Sequence, residues 1–132
     1  DALAVVDDQT GAPTSAELVA AVTAHALQRA IARPELGGTY HLAARGETTW
    51  HGYARFAIDT ARRAGLPIRT TDAAIEPVTS AGFPTVARRP HNSRLDVGRL
   101  ERAFELQLPD WRVGVARAIA SLQKESGARM PA

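Results

Sequence analysis

The chain reads as α/β, or as α+β when taken by itself, with a few short strands and about four helices. Three observations predict this: short apolar runs of strand length near residues 2–6, 39–43 and 73–78; two capped amphipathic helical stretches between them; and a closing pair of helices with no strand after them. Residues 2–6 are apolar and run into Asp7, Asp8 and Gln9, a strand entering a turn at Gly11, Ala12 and Pro13. Thr14 and Glu17 stand at capping-box spacing, which predicts a helix start: the threonine oxygen accepts from the N3 amide and the glutamate reaches back to the cap amide. Leu18, Val22 and Ala26 then supply one apolar stripe, and Pro34, Gly37 and Gly38 mark its end. Residues 39–43 read as a strand with Tyr40 and Leu42 on one face and His41 on the other.

Thr48 or Thr49 caps the second helix, in which Tyr53, Phe56, Ala57 and Ala61 share a face while Arg55, Asp59, Arg62 and Arg63 lie outside it. Gly65 and Pro67 stop it. Around residues 73–78 a third short strand is expected, confined to an edge or a strand end by Pro77, which has no amide hydrogen to donate. Residues 79–94 show no periodicity and contain Gly82, Pro84 and Pro90, so a long irregular loop is expected; such loops in compact domains usually carry function. Asp96 is placed to cap a short helix bearing Leu100 and Phe104. Pro109 and Asp110 start the last helix, with Trp111, Val115, Ile119 and Leu122 on one stripe. The expected domain is 1–125, and 126–132 reads as a frayed tail.

At 132 residues one domain is expected, since a useful core becomes available at roughly 100 residues. The absence of cysteine removes disulfides, thiolate metal sites and a cysteine nucleophile, and fits a reducing cytoplasm. Sixteen Lys and Arg against fourteen Asp and Glu give a net charge of +2, and Lys124 is the only lysine. The arginines are dispersed among acids on helix faces, without the aromatic platforms of a polynucleotide binder, so no nucleic-acid partner is expected. No apolar run approaches the roughly 18 residues of a membrane span, so no membrane partner is expected. The first residue is Asp1 rather than methionine, which leads us to expect a piece of a longer protein.

The exception to the dispersed charge is Ala87-Arg88-Arg89-Pro90-His91-Asn92-Ser93-Arg94-Leu95-Asp96, three arginines around a proline with no acid before Asp96. That loop suits a small anion. Together with Asp8-Gln9-Thr10-Gly11-Ala12-Pro13-Thr14, Gly38-Thr39-Tyr40-His41-Leu42, Gly46-Glu47-Thr48-Thr49-Trp50 and Leu108-Pro109-Asp110-Trp111, it resembles the dTDP-4-dehydrorhamnose reductases, extended short-chain dehydrogenase/reductases with an NAD(P)-binding Rossmann fold. The likeness runs in order from about Val5 to Leu122 and covers only the C-terminal, substrate-binding part of such an enzyme.

The resemblance implies NADPH-dependent reduction of dTDP-4-dehydro-L-rhamnose to dTDP-L-rhamnose, for surface polysaccharide, in the cytoplasm. It also implies that the strand at 39–43 joins the sheet of an N-terminal cofactor domain, so an unpaired edge or pairing with another chain is expected there. Among site residues it favours Arg89, then Arg88, facing the diphosphate of a dTDP-sugar; the alternatives for Arg89 are a carboxylate partner such as Glu76 or Asp96, or solvent. It brings Gln9 near sugar or base, against a role as a local turn residue. It raises Glu17 as a ligand for Mg²⁺ at a homodimer contact, against the capping-box role.

The reaction chemistry itself is missing. Four residues after Tyr40 stands Ala44, and four after Tyr53 stands Ala57, so no Tyr-x-x-x-Lys pair exists to protonate a carbonyl and hold a nicotinamide ribose. Gly-x-Gly-x-x-Gly is absent too. No catalytic or cofactor-binding residue is therefore expected in this chain, and alone it should be inactive. His25, His41, His51 and His91 lack metal-site spacing. His91 reads as structural, with a phosphate contact as the alternative. Ser93 has no base beside it in sequence, and Trp50 and Trp111 both read as packing residues rather than stacking platforms. Two other readings remain open here: a different extended-class nucleotide-sugar epimerase or reductase, and a non-catalytic regulatory subunit of methyl-donor synthesis.

Overall fold

The computed structural model describes residues 2–83, 86, 87 and 89–128. Among them are four α-helices, Ala16–Ala32 (α1), Trp50–Arg63 (α2), Gly98–Phe104 (α3) and Trp111–Ala128 (α4), and two small sheets, against which α2 packs. Strand β1 (Leu3–Val6) pairs in parallel with β4 (Ile75–Val78), with Leu3 opposite Ile75 and Val6 opposite Val78. The intervening β2 (Thr10–Gly11) and β3 (Thr48–Thr49) form an antiparallel pair of two residues each. Pro77 lies in β4, as its missing amide requires, in a sheet where every strand is an edge.

Helices α1, α2 and α3 keep their predicted stripes, and α4 keeps Trp111, Val115 and Ile119 inward. Leu122, expected on the same stripe, is 55% exposed because the last turns of α4 run past the core. Two caps also differ. Ser15, not Thr14, caps α1: its Oγ accepts the Leu18 amide at 3.2 Å. Glu17 is consequently the second helical residue instead of the third and is exposed, so it closes no capping box. Thr14 is used elsewhere, donating to the Ala12 carbonyl and accepting the Ala44 amide, each at 3.0 Å. At α2, Thr49 is the cap and accepts the Gly52 amide at 3.0 Å. Asp96 accepts the Gly98 amide at 2.8 Å but stands one residue before the cap position of α3, Val97. The backbone of α4 continues to Ala128, three residues beyond the expected domain end, while 129–132 lie outside the described residues.

The core has two parts. Val22 of α1 meets Leu36, Leu100, Phe104 and Leu108, with Tyr40 set edge-on to Phe104 at 5.0 Å between ring centres. Beside it, α2 packs on α4 through Trp111, which is 2% exposed and lies edge-to-face on Phe56 at 5.0 Å and Tyr53 at 6.3 Å. The turn into α4 depends on Gly46: its φ is +81°, and an added Cβ would come within 2.6 Å of an Asp110 carboxylate oxygen.

Residues 39–44 have no ladder partner among the described residues; pairing begins only at the single bridge of Arg45 with Asp110. The alternation expected there survives in burial, with Tyr40 and Leu42 packed on the core and His41 exposed. Periodicity thus specified the inner face, while the expected strand pairing does not form among the described residues; the Ala44 amide is taken by the Thr14 hydroxyl instead.

Below the core, Glu101 accepts both nitrogens of a bidentate Arg45 (2.8 and 2.6 Å) and the Leu108 amide at 2.8 Å. Arg45 hydrogen bonding, ahead of the Leu108 amide and the charges of Arg45 and Arg102, holds the Glu101 carboxyl below its ordinary value of 4.5. The folded chain therefore binds this proton less readily than the unfolded one. Its stabilisation is fully present above about pH 4.5 and is lost as pH falls from there through the depressed folded value. Thermal melts through that window should show a falling midpoint that Glu101→Gln makes shallower, by a difference on the order of 1 kcal/mol since Arg45 is half exposed. Parallel melting curves for the two proteins would remove Glu101 from the acid response.

Candidate functional site

The β1–β2 turn, the start of α2 and the arginine loop enclose a cleft of about 770 Å³, within the range of roughly 300–1,000 Å³ typical of small-molecule sites. Val6, Gln9, Pro13, Trp50, Arg89 and Ser93 are among its lining. Ala4, Val5 and Val6 of β1 also line it, so it offers apolar area for a ring together with a cation from Arg89.

The arginine loop reaches the cleft because backbone bonds pin it to the β1–β2 turn. Thr10 donates to the His91 carbonyl at 2.8 Å, and the Ser93 amide donates to the Thr10 carbonyl at 2.9 Å. Gly11 eases this approach, since a Cβ there would meet Ser93 Oγ at 2.7 Å and displace a hydroxyl that donates to the Thr10 carbonyl at 3.0 Å. His91 places Nδ1 at 2.8 Å from the Asp8 carbonyl, a bond that fastens the loop to the turn. This is the structural role expected for it.

Arg89 is exposed, lines the cleft and has no hydrogen bond or carboxylate partner among the described residues. Neither Glu76 nor Asp96 takes it. Its neighbour in the cluster, Arg94, is committed differently: it pairs with Glu47 and donates to Asn92 Oδ1. Arg88 lies outside the described residues. Gln9 is half-buried in the cleft wall and donates through Nε2 to Ser80 Oγ at 2.8 Å. Ser80 in turn contacts the Asp8 carboxylate through its amide, at 3.0 Å to each oxygen, and through its hydroxyl at 2.6 Å. Those hydrogen bonds from Ser80 lower the Asp8 pKa from its ordinary 3.8.

Trp50 departs from expectation. It is 57% exposed and forms part of the cleft wall, edge-on to Tyr53 at 6.2 Å, instead of packing inside. Sequence reasoning also missed Asp8 and Ser80. Asp8 reads as a turn residue, and nothing local links it to a serine 72 positions away.

The resemblance's other groups find little on this chain. Glu17 is a single exposed carboxylate, and no group of three His, Cys, Asp or Glu side chains gathers among the described residues. An ion that takes six oxygen ligands in near-octahedral geometry is not held by one glutamate. The starts of α1 and α2 are capped by the Ser15 and Thr49 hydroxyls. No helix among the described residues is long and apolar enough to cross a membrane.

A family model described as the RmlD substrate binding domain matches residues 1–124. The chain belongs to that family. It is 49% identical over 120 residues to the dTDP-4-dehydrorhamnose reductase of Escherichia coli K12 and 51% identical over 120 residues to that of Shigella flexneri, each match covering 91% of this chain and 40% of the relative. The chain thus spans about 40% of the length of these relatives. Among solved structures, the dTDP-4-dehydrorhamnose reductase orthologue of Clostridium acetobutylicum superposes with a TM-score of 0.73 at 29% identity, over 93% of this chain and 39% of that one. The Bacillus anthracis reductase in complex with NADP gives 0.69 at 26%, over 92% and 38%. These relatives support the reductase family and favour neither the epimerase nor the methyl-donor alternative.

Proposed function

We propose that this chain is the dTDP-sugar-binding part of a dTDP-4-dehydrorhamnose reductase, which reduces dTDP-4-dehydro-L-rhamnose with NADPH in the cytoplasm. The reading is carried by one observation: an arginine without a partner among the described residues stands in a cleft of nucleotide-sugar size, inside a domain whose family is described by substrate binding. Arg89 meets the diphosphate, Gln9 meets base or sugar, and the apolar residues of β1 lie against the ligand. The unpaired segment 39–44 adds a strand to the sheet of a cofactor-binding portion, which supplies the proton donor and nicotinamide site. Glu17 contributes to Mg²⁺ only if a second copy brings further carboxylates.

Isothermal titration of the 132-residue chain with dTDP-L-rhamnose tests this, with UDP-glucose as comparison. Saturable binding is expected for the dTDP-sugar, preferred over the UDP-sugar and strengthened when the remainder found in the relatives is present. Equal binding of the two, or none in either form of the protein, would reject the assignment.

A further inference from the structure

Hydrogen-bond direction in the Asp8, Ser80 and Gln9 chain is determined by chemistry. An ionised carboxylate only accepts, so at neutral pH the 2.6 Å contact between Asp8 and Ser80 Oγ must use the serine's single hydroxyl proton. The hydrogen bonds from Ser80 to Asp8 favour this ionised form. With its proton spent, Ser80 Oγ can only accept from Gln9. The side-chain amide must therefore present Nε2 to Ser80, at 2.8 Å, which leaves Oε1 without a protein partner among the described residues on a side chain that lines the cleft. The Ser80 amide, donating to both Asp8 oxygens at 3.0 Å, holds the carboxylate in place.

We propose that Asp8 and Ser80 are positioning residues that fix the Gln9 amide with its carbonyl oxygen available to the ligand, so the cleft selects a ligand bearing an N–H or O–H donor there. The inference rests on the dTDP-sugar reading of the cleft and deepens it. In that ligand class the donor is either the imide N–H of the pyrimidine base or a sugar hydroxyl. The same geometry predicts an inversion. In Asp8→Asn, the new amide can accept the Ser80 N–H through its oxygen and donate to Ser80 Oγ through its nitrogen. The serine proton then turns toward Gln9, and the Gln9 amide reverses to offer the ligand N–H instead of oxygen.

The test is a double-mutant cycle read by titration calorimetry on the 132-residue chain, repeated with the cofactor-binding remainder present. Asp8→Asn should weaken dTDP-L-rhamnose binding about tenfold while leaving the melting midpoint near that of the parent. In a Gln9→Leu background the same change should cost almost nothing, because no amide remains to be turned. Ser80→Ala should weaken binding and Ser80→Thr, which keeps the hydroxyl, should restore it. dTDP and its N3-methyl derivative distinguish the donors. Discrimination between them that disappears in Asp8→Asn assigns the base imide; a penalty confined to dTDP-L-rhamnose assigns a sugar hydroxyl. An equal loss from Asp8→Asn with and without Gln9, or unchanged affinity in folded Asp8→Asn, would overturn the relay while leaving the cleft assignment intact. Failure of the parent protein to bind any dTDP compound would overturn the cleft assignment and, with it, the ligand side of this proposal.

Discussion

Arg89→Ala is expected to weaken dTDP-sugar binding by roughly 10- to 100-fold, the loss of a charge-assisted hydrogen-bonding pair worth about 1.5–3 kcal/mol, with no change in melting temperature. The two halves of this expectation have one cause. Arg29, Arg33, Arg45, Arg62, Arg63, Arg94 and Arg112 each hold a carboxylate, and Arg99 lies over the Tyr40 ring, so these side chains have work within the fold. Arg89 has no such partner among the described residues, so removing it costs the folded state little. Pro90 restricts the backbone around it and favours an extended Arg89. Arg89→Lys should recover only part of the affinity, because an ammonium cannot reproduce the planar two-donor fork against a diphosphate. Arg94→Ala is the control: it releases Glu47 and should leave ligand affinity nearly unchanged. Calorimetry on the three variants checks this. Parent-like affinity in Arg89→Ala would take the guanidinium out of the site.

What the sequence disclosed was governed by the range of the interactions. The stripes of α1 and α2 were legible because helical neighbours are three and four residues apart, and Leu18, Val22 and Ala26 needed no knowledge of the partner face. The cap of α1 was not, because Thr14 and Ser15 are adjacent hydroxyls and the choice depends on Ala44, whose amide recruits Thr14 from 30 residues away. Strand β2 and strand β3 have two residues each, too few to show alternation. The pattern at 39–43 was read correctly for its faces, yet no ladder partner for it stands among the described residues. Trp50 and Trp111 show the same limit. Each follows the cap of its helix, but tertiary packing buries one and leaves the other in the cleft wall. Loop composition singled out Arg89, and the fold brings that residue to the cleft. The Asp8 and Ser80 pair that aligns Gln9 was invisible until the fold closed a separation of 72 residues.

Trp111 is the position where truncation should cost the most stability. It is the largest fully buried side chain among the described residues, and its ring bridges Tyr53 and Phe56 of α2 while Arg112 covers its face at 4.7 Å. Trp111→Ala should destabilise the chain by about 3–5 kcal/mol, which for a domain of this size lowers the melting midpoint by roughly 10–20 °C. Trp111→Phe separates the contributions. The indole Nε1 is buried without a hydrogen-bond partner among the described residues, a standing cost that phenylalanine abolishes. The smaller ring still fills most of the space between α2 and α4, so lost contact and relieved desolvation offset each other. The phenylalanine variant should therefore fall within about 1–2 kcal/mol of the parent, well above alanine. Denaturant titrations followed by circular dichroism measure both, and the phenylalanine variant keeps the comparison usable if the alanine variant does not fold. Equal destabilisation by the two would mean that the indole nitrogen is engaged after all, and an alanine cost under about 1 kcal/mol would show that the α2–α4 contact does not hold the domain together.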